Sequence, residues 1–409
     1  MTEIIFLPDL LNKIFHEDCR VTMKRIPDNS IDSIVTDPPY ELGFMGKAWD
    51  SSGIAYNVAM WSECLRILKP GAYLLAFGGT RTSHRMVCAI EDAGFEIRDS
   101  ILWLYGSGFP KNMDISKQID KEAGLKRQKI NFGKAVKRMI PGSDQNKTGS
   151  WIKDNGKEYQ PGKEIPASES AKQWSGWGIA LKPAHEPICV ARKPISEKTV
   201  AANVLKYGTG GINIDASRIK GKEPHHNYGR TSGSKSFVGQ GNVSITPISG
   251  RFPSNVILDE FTGEILDQQA PDAGAFAPVK KGQKGKSKGV YGDFAQKGDD
   301  GDSFYDDRGG GSRFFYIAKA DSKERNAGMM QFPREYQNIH ATVKPIKLIQ
   351  YLQKLVTPLG GIVYDPFGGS GTTAPAAQNN GFKWIMSELV KEHYDIAVKR
   401  IYNNGGLWL

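Results

Sequence analysis

The chain has 409 residues, 39% of them hydrophobic, and a formal charge of +10, enough for about two or three domains with a real core and suited to a polyanionic partner. No apolar run approaches the roughly 20 residues of a membrane span, and the opening "MTEIIFLPDLLNK" has acids among its apolar residues and no small-residue cleavage site, unlike a signal peptide. Its four cysteines are widely spaced and form no Cys-x-x-Cys pair, which argues against a disulfide framework or zinc knuckle and for a reduced, cytoplasmic setting.

Residues 1–106 read as alternating strands and helices. The short apolar run "IDSIVT" stops at Asp37-Pro38-Pro39-Tyr40. Met60, Cys64, Ile67 and Leu68 then recur at helical spacing, and "KPG" closes that segment. "AYLLAF" predicts a buried strand. A helix follows through Met86, Val87 and Ile90 to Gly94, and "FEIRDSILWLY" predicts the next strand. This is the rhythm of a parallel α/β sheet with helices on both faces.

Composition shifts at about 107 and stays shifted to about 335, where Gly, Ser, Lys, Asn and Asp dominate. Two islands stand out: "KPAHEPICVARKP", read as a strand of the catalytic domain near 186–194, and "GRFPSNVIL". Between 271 and 312, "VKKGQKGKSKG" and then "DDGDSFYDDRGGGS" read as a solvated, flexible loop.

Regularity returns near 336. Leu348, Ile349, Leu352, Leu355 and Val356 share a helix face behind Pro345. "GGIVYDPF" predicts a strand, "GGSGTT" a tight turn, "APAAQNNG" a short helix and "KWIMSEL" another strand; Tyr394, Ala397, Val398 and Ile401 mark a last helix. One sheet is therefore expected from the two ends of the chain (1–106 and 336–409), with an irregular insertion over 107–335.

The two motifs carry the chemistry. In "VYDPFGGSGTT", glycines 368, 369 and 371 permit positive φ and close backbone approach to a ligand, and the following helix start offers unpaired N–H groups. Glu388, about 20 residues on, is placed to accept hydrogen bonds from ribose hydroxyls. No Lys follows the last glycine, so this is not a triphosphate loop.

Together these motifs resemble the amino-group DNA methyltransferases that use S-adenosylmethionine. Asp-Pro-Pro-Tyr matches their catalytic motif and Asp-Pro-Phe-x-Gly-Ser-Gly-Thr their cofactor loop. The order found here, catalytic motif first, is similar to the circularly permuted β class; "HEDC", "LKPGAYLLAF", "AHEPICVARKP", "SRFFYIAKA" and "HATVKP" add to the likeness. The resemblance implies a Rossmann-like methyltransferase sheet with the insertion as target-recognition region. It also implies a double-stranded DNA substrate and extrusion of the target base. Asp37 and the Pro38 carbonyl would accept from the target amino group, Pro39 would stiffen the turn and Tyr40 would stack on the base. Asp18, Thr342, Lys344, Asp365, Phe367, Gly369, Gly371, Thr372 and Glu388 would bind the cofactor: Asp18 at the adenine amino group, Asp365 near the methionine ammonium, Thr342 and Lys344 at the methionine end. No metal is needed. His340 carries no assigned role.

The absence of a Pro-Cys dipeptide argues against carbon-5 methylation of cytosine. Asp at the head of the motif favours adenine N6, with cytosine N4 as the alternative; an RNA or protein amide acceptor and a non-catalytic DNA-binding protein are more distant ones. In the insertion, Lys111, Lys126, Arg127, Lys134, Lys137 and Arg138 are candidates for phosphate contacts. Trp151, Trp174 and Trp177 are expected to pack against the catalytic domain rather than on bases. The class includes homodimers. With no recognisable nuclease motif, any restriction of DNA would fall to a separate protein.

Overall fold

The computed structural model describes residues 7–43, 48–106, 108, 112–131, 162–220, 250–271, 309–318 and 343–402, and the backbone of short strand segments between 136 and 295. Thr342, His340, Lys111 and most of the Lys- and Asp-rich stretch at 271–312 lie outside the described residues, as do the side chains of Lys134, Lys137, Arg138 and Trp151.

Among the described residues, nine strands form the central sheet: β1 (Lys13–His16), β2 (Ile31–Thr36), β3 (Leu68–Phe77), β4 (Glu96–Leu104), β5 (His185–Arg192), β6 (Val256–Asp259), β7 (Tyr316–Ala318), β8 (Ile362–Asp365) and β9 (Lys383–Glu388). Their spatial order is β1-β9-β8-β2-β3-β5-β4-β6-β7. All neighbours run parallel except at β5, which is antiparallel to both β3 and β4. Helices among the described residues include α1 (Cys19–Arg25), α2 (Val58–Ile67), α3 (Ser83–Asp92), α4 (Val200–Tyr207), α5 (Glu260–Gln269), α6 (Ile346–Val356), α7 (Thr373–Asn379) and α8 (Lys391–Tyr402). Among the described residues no helix is long and apolar enough to cross a membrane.

The unbroken apolar run in β3 is explained by burial on both faces. Leu74 and Ala76 pack with Met60, Trp61, Cys64 and Met86 of α2 and α3. Tyr73, Leu75 and Phe77, one residue out of phase, pack with Leu348, Leu352 and Leu355 of α6. α2 ends at Ile67, capped by Leu68 just ahead of "KPG", as the sequence implies, and "KPG" itself lies in the first residues of β3. Gly71 holds φ +81° there, and a Cβ on it would come within 2.5 Å of the Asn203 amide. That buried amide of α4 donates to the carbonyls of Pro70 and Thr209, both at 2.8 Å.

The chain separates into two compact units, Met1–Ser107 with Ala184–Leu409, and Gly108–Pro183. Within 107–335, β5 is the strand expected near 186–194, and β6 and β7 belong to the sheet as well. The last two are strands of only four and three residues, too short to show a period in sequence. In the second unit, Arg127 is not a free phosphate contact. Its guanidinium bonds the buried Asp120 at 2.7 Å and also the Ser116 hydroxyl. Trp174 and Trp177, 38% and 59% exposed, meet edge to face at 5.1 Å.

Opposite ends of the chain meet where β2 pairs with β8. Asp32, 4% exposed, accepts from Lys69 at 2.6 Å and from the Ile362 N–H at 2.8 Å. The Ser33 and Thr357 hydroxyls lie 2.8 Å apart, and Thr36 donates to Asp365 at 2.6 Å. Replacing Asp32→Ala strands the Ile362 N–H and an ammonium, at a cost of about 2–4 kcal/mol. Urea denaturation should show it as a lower midpoint with an unchanged slope.

Candidate active site

Parallel pairing brings the carboxyl ends of β1, β9, β8 and β2 to one edge, where the strand order joins the two ends of the chain. This is where an open α/β sheet binds ligands. A cavity of about 330 Å³ opens there, within the range of small-molecule sites. Asp18 and Glu388 line it from the β1/β9 side, and the Asp37–Tyr40 turn and Lys344 from the β2 side. Asp365, Phe367, Gly369 and Thr372 line it from the loop after β8. Of the sequence-derived site residues in the described regions, Gly371 alone does not line it.

The turn after β2 is held by a residue that sequence reasoning missed. Asp50, 3% exposed, accepts from the backbone N–H groups of Tyr40 (2.8 Å), Glu41 (3.1 Å) and Leu42 (3.3 Å). Glu41 takes φ +54°, rare for a residue with a side chain. Its carboxylate accepts from the Gly53 N–H at 2.8 Å, which helps fix that conformation. Thr82 donates to the Tyr40 carbonyl at 2.7 Å, and the Tyr40 ring lies against Gly79.

Lys344 stands between two carboxylates. Its Nζ is 2.7 Å from Asp37 Oδ2, 3.1 Å from Glu186 Oε2 and 3.1 Å from the Tyr40 hydroxyl, with the Phe77 ring centroid 4.9 Å away. Tyr40 donates to Glu186 Oε2 at 2.9 Å. Burial would push the Lys344 ammonium towards neutrality, but the attraction of Asp37 and Glu186 exceeds it, so its pKa is raised and it stays charged. Burial raises the Asp37 pKa; Lys344 pulls it back and Glu186 adds to the rise. Burial and then the nearby carboxylates hold the Tyr40 phenol well above its usual value. Asp37 Oδ1 is closed off from solvent and has no hydrogen-bond partner. A buried acceptor left open in this way is a place for a donor from a ligand.

The loop after β8 is a cradle of backbone. The Gly368 N–H bonds the Ser387 carbonyl and the Gly371 N–H the Gly368 carbonyl, both at 2.8 Å. Gly369 and Gly371 take φ +51° and +83°. Gly371 faces away from the cavity: a Cβ there would lie 2.9 Å from Ala397 Cβ in α8. Arg400, fully buried on the same helix, donates to the Ser370 carbonyl at 2.5 Å and to its hydroxyl at 3.0 Å. Nothing local in the sequence marks that arginine as a clamp on a loop 30 residues away.

The remaining acids are already engaged. Glu388 accepts from the Gly369 and Val390 N–H groups, each at 2.7 Å, one on each oxygen. Asp18 caps α1, and hydrogen bonds from Arg20 hold its carboxyl below the usual range. Asp365 accepts from the Thr36 and Thr373 hydroxyls and the Phe367 N–H. Even so, burial pushes it up to about 6. One buried carboxylate therefore ties β2, through Thr36, to the loop after β8, through Phe367 and Thr373.

A family model for DNA methylases of the N6/N4 type matches residues 31–399. The type II methyltransferase M.HindIII of Haemophilus influenzae is 22% identical over 435 aligned positions, spanning 96% of each chain. The putative methylase YubD of Escherichia coli is 32% identical over 92 residues, 21% of this chain and 40% of that one. Among solved structures, the cytosine-N4-specific PvuII DNA methyltransferase aligns over 96% of this chain and 87% of its own, with TM-score 0.44 and 13% identity.

Two outcomes are expected. Gly371→Ala must either strain the left-handed turn or displace α8, costing about 1–3 kcal/mol, and should weaken ligand binding in the cavity, read by calorimetry. Asp365→Asn should change how stability depends on pH. An acid raised in the folded state stabilises below its unfolded value and loses that contribution as pH rises through about 6. Thermal melts from pH 4 to 8 should show a smaller loss with rising pH in the variant.

Proposed function

Since the chain belongs to the N6/N4 DNA methylase family, we propose that it methylates the exocyclic N6 of adenine in double-stranded DNA after extruding the base. S-adenosylmethionine is its cofactor and, when bound, supplies an electrophilic methyl group. The observation that carries the reading is the unpartnered Asp37 Oδ1, buried beside Pro38 in the same cavity as the glycine loop.

The residues present fit that cofactor. Gly369 and its neighbours offer a close backbone surface, Phe367 an apolar wall, and Glu388 and Asp18 carboxylate oxygens for polar hydrogens. Asp18 Oδ1 already accepts twice from Arg20, whereas Asp18 Oδ2 and each Glu388 oxygen hold one protein donor and keep acceptor capacity for another. Thr372 lines the cavity at the start of α7. Lys344 binds Asp37 rather than standing open to solvent, so its part is to orient the catalytic carboxylate.

An exocyclic amino group is a poor nucleophile because its lone pair is delocalised into the ring. Two acceptors, Asp37 Oδ1 and the Pro38 carbonyl, can hold both N–H bonds and favour a pyramidal nitrogen. They are fixed before the reaction begins, which is what makes such electrostatic stabilisation effective. Pro39 has no N–H to compete for those acceptors. Tyr40, anchored through its hydroxyl, presents its ring to a base that cannot be reached inside a duplex. Asp at the head of the motif supports adenine over cytosine N4. The full-length likeness to a type II methyltransferase supports a modifying role with a separate nuclease, and DNA in a reducing cytoplasm is the natural setting for the four free cysteines.

Unmethylated DNA incubated with the protein and labelled cofactor, then digested to nucleosides for mass detection, tests the reading. Label is expected in N6-methyladenosine, with Asp37→Ala lowering the rate about 10²–10³-fold. Label in N4-methylcytosine would replace the base and keep the mechanism. DNA without label, despite cofactor binding, would overturn the DNA reading.

A further inference from the structure

We propose that Glu186 is a positioning residue for the transfer: it fixes Tyr40 and Lys344 together, so that one oxygen of Asp37 is committed to Lys344 and the other is left for the substrate amino group. This rests on the function proposed above.

Glu186 is the second residue of β5, opposite Trp103 of β4. Because β5 runs against its neighbours, its first residues arrive at the edge where the parallel strands end. One oxygen, Oε2, receives both the Tyr40 hydroxyl at 2.9 Å and the Lys344 ammonium at 3.1 Å. Tyr40 donates to Glu186, so its own oxygen is free to accept from Lys344, closing a three-membered network. Lys344 then has a fixed direction, and its 2.7 Å contact falls on Asp37 Oδ2 alone. Oδ1 is left without a partner. Glu186 itself does not line the cavity; it reaches the substrate only through the two side chains it holds.

Charge gives the network a second role. With Asp37 and Glu186 ionised and Lys344 protonated, the cluster carries one net negative charge. The nitrogen that has just gained a methyl group must shed a proton. That proton passes to Asp37 Oδ1: the N–H bond breaks, its electron pair stays on nitrogen, an O–H bond forms, and the cluster becomes neutral. The groups facing Glu186 are Lys344, Asp37 and Tyr40, together with Tyr105 at the end of β4. Glu186 repels the charge on Asp37 and so keeps it basic enough to take the proton.

Glu186→Gln keeps the shape and removes the charge. Wild type and E186Q are assayed with labelled cofactor on unmethylated genomic DNA from pH 5 to 9, and cofactor affinity is measured by calorimetry. The expected result is a kcat lower by about 10–100-fold, an unchanged cofactor affinity, and an acid limb of kcat moved to lower pH, because Asp37 without its repelling neighbour ionises more readily. An unchanged kcat and limb, or a joint loss of cofactor affinity and rate, would overturn the proposal. A wild type that labels no DNA would instead defeat the functional reading. The coupling then rests on thermal melts alone. An Asp37 raised in the folded state loses its stabilising contribution as pH rises, so E186Q should lose less melting temperature between pH 5 and 8; equal slopes would overturn it.

Discussion

Thr36 and Asp365 are separated by most of the chain, yet a 2.6 Å hydrogen bond joins them at the mouth of the sheet. Everything functional is arranged around that meeting. It requires β2 and β8 to lie side by side, which sets the Asp37 turn next to the glycine loop. A carboxylate with a raised pKa is an uncomfortable group to bury, even with three donors around it. The Asp32 and Ser33 contacts along the same pair of strands spread that cost over the whole seam. The cavity is thus a by-product of how the two ends of the chain are sewn together.

Local patterns were legible in the sequence because backbone requirements are local. Asp-Pro-Pro-Tyr and the glycine loop announce a stiff turn and a tight one wherever they occur, and both line the cavity as the motifs imply. Strands β2, β3, β4, β8 and β9 announced themselves by apolar runs, and α6 by its period. What could not be read was any group whose importance comes from a distant partner. Asp50 is an ordinary acid until three N–H groups converge on it, and Arg400 an ordinary basic residue on an amphipathic helix. Glu186 sat inside a quoted island without a role. Gly371 was read as a surface for the ligand, whereas its missing side chain makes room for α8. The short strands β6 and β7 carried too few residues to reveal a period, so the insertion looked longer than the compact unit it contains.

The charge arrangement around Lys344 explains why the site tolerates so much buried polarity. A lone lysine or a lone carboxylate in this position would neutralise itself. One cation between two anions keeps all three in place, and removing any one partner leaves a buried charge uncompensated. Binding, orientation and proton acceptance are consequently hard to separate, since the same few oxygen atoms serve all three.

The pairing of β4 with β5 has an architectural consequence. His185 lies directly opposite Leu104, so the two strands form an ordinary hairpin whose connecting turn has been expanded into the unit Gly108–Pro183. Both ends of that unit leave the sheet at neighbouring positions, and closing a longer loop between fixed ends adds little entropy cost. A module held by such adjacent stems can be lengthened, exchanged or replaced by a short turn without altering the register of β4 against β5. Glu186 is the second residue of the strand that returns from the module, so each such exchange would deliver the chain back to the same atoms of the catalytic edge.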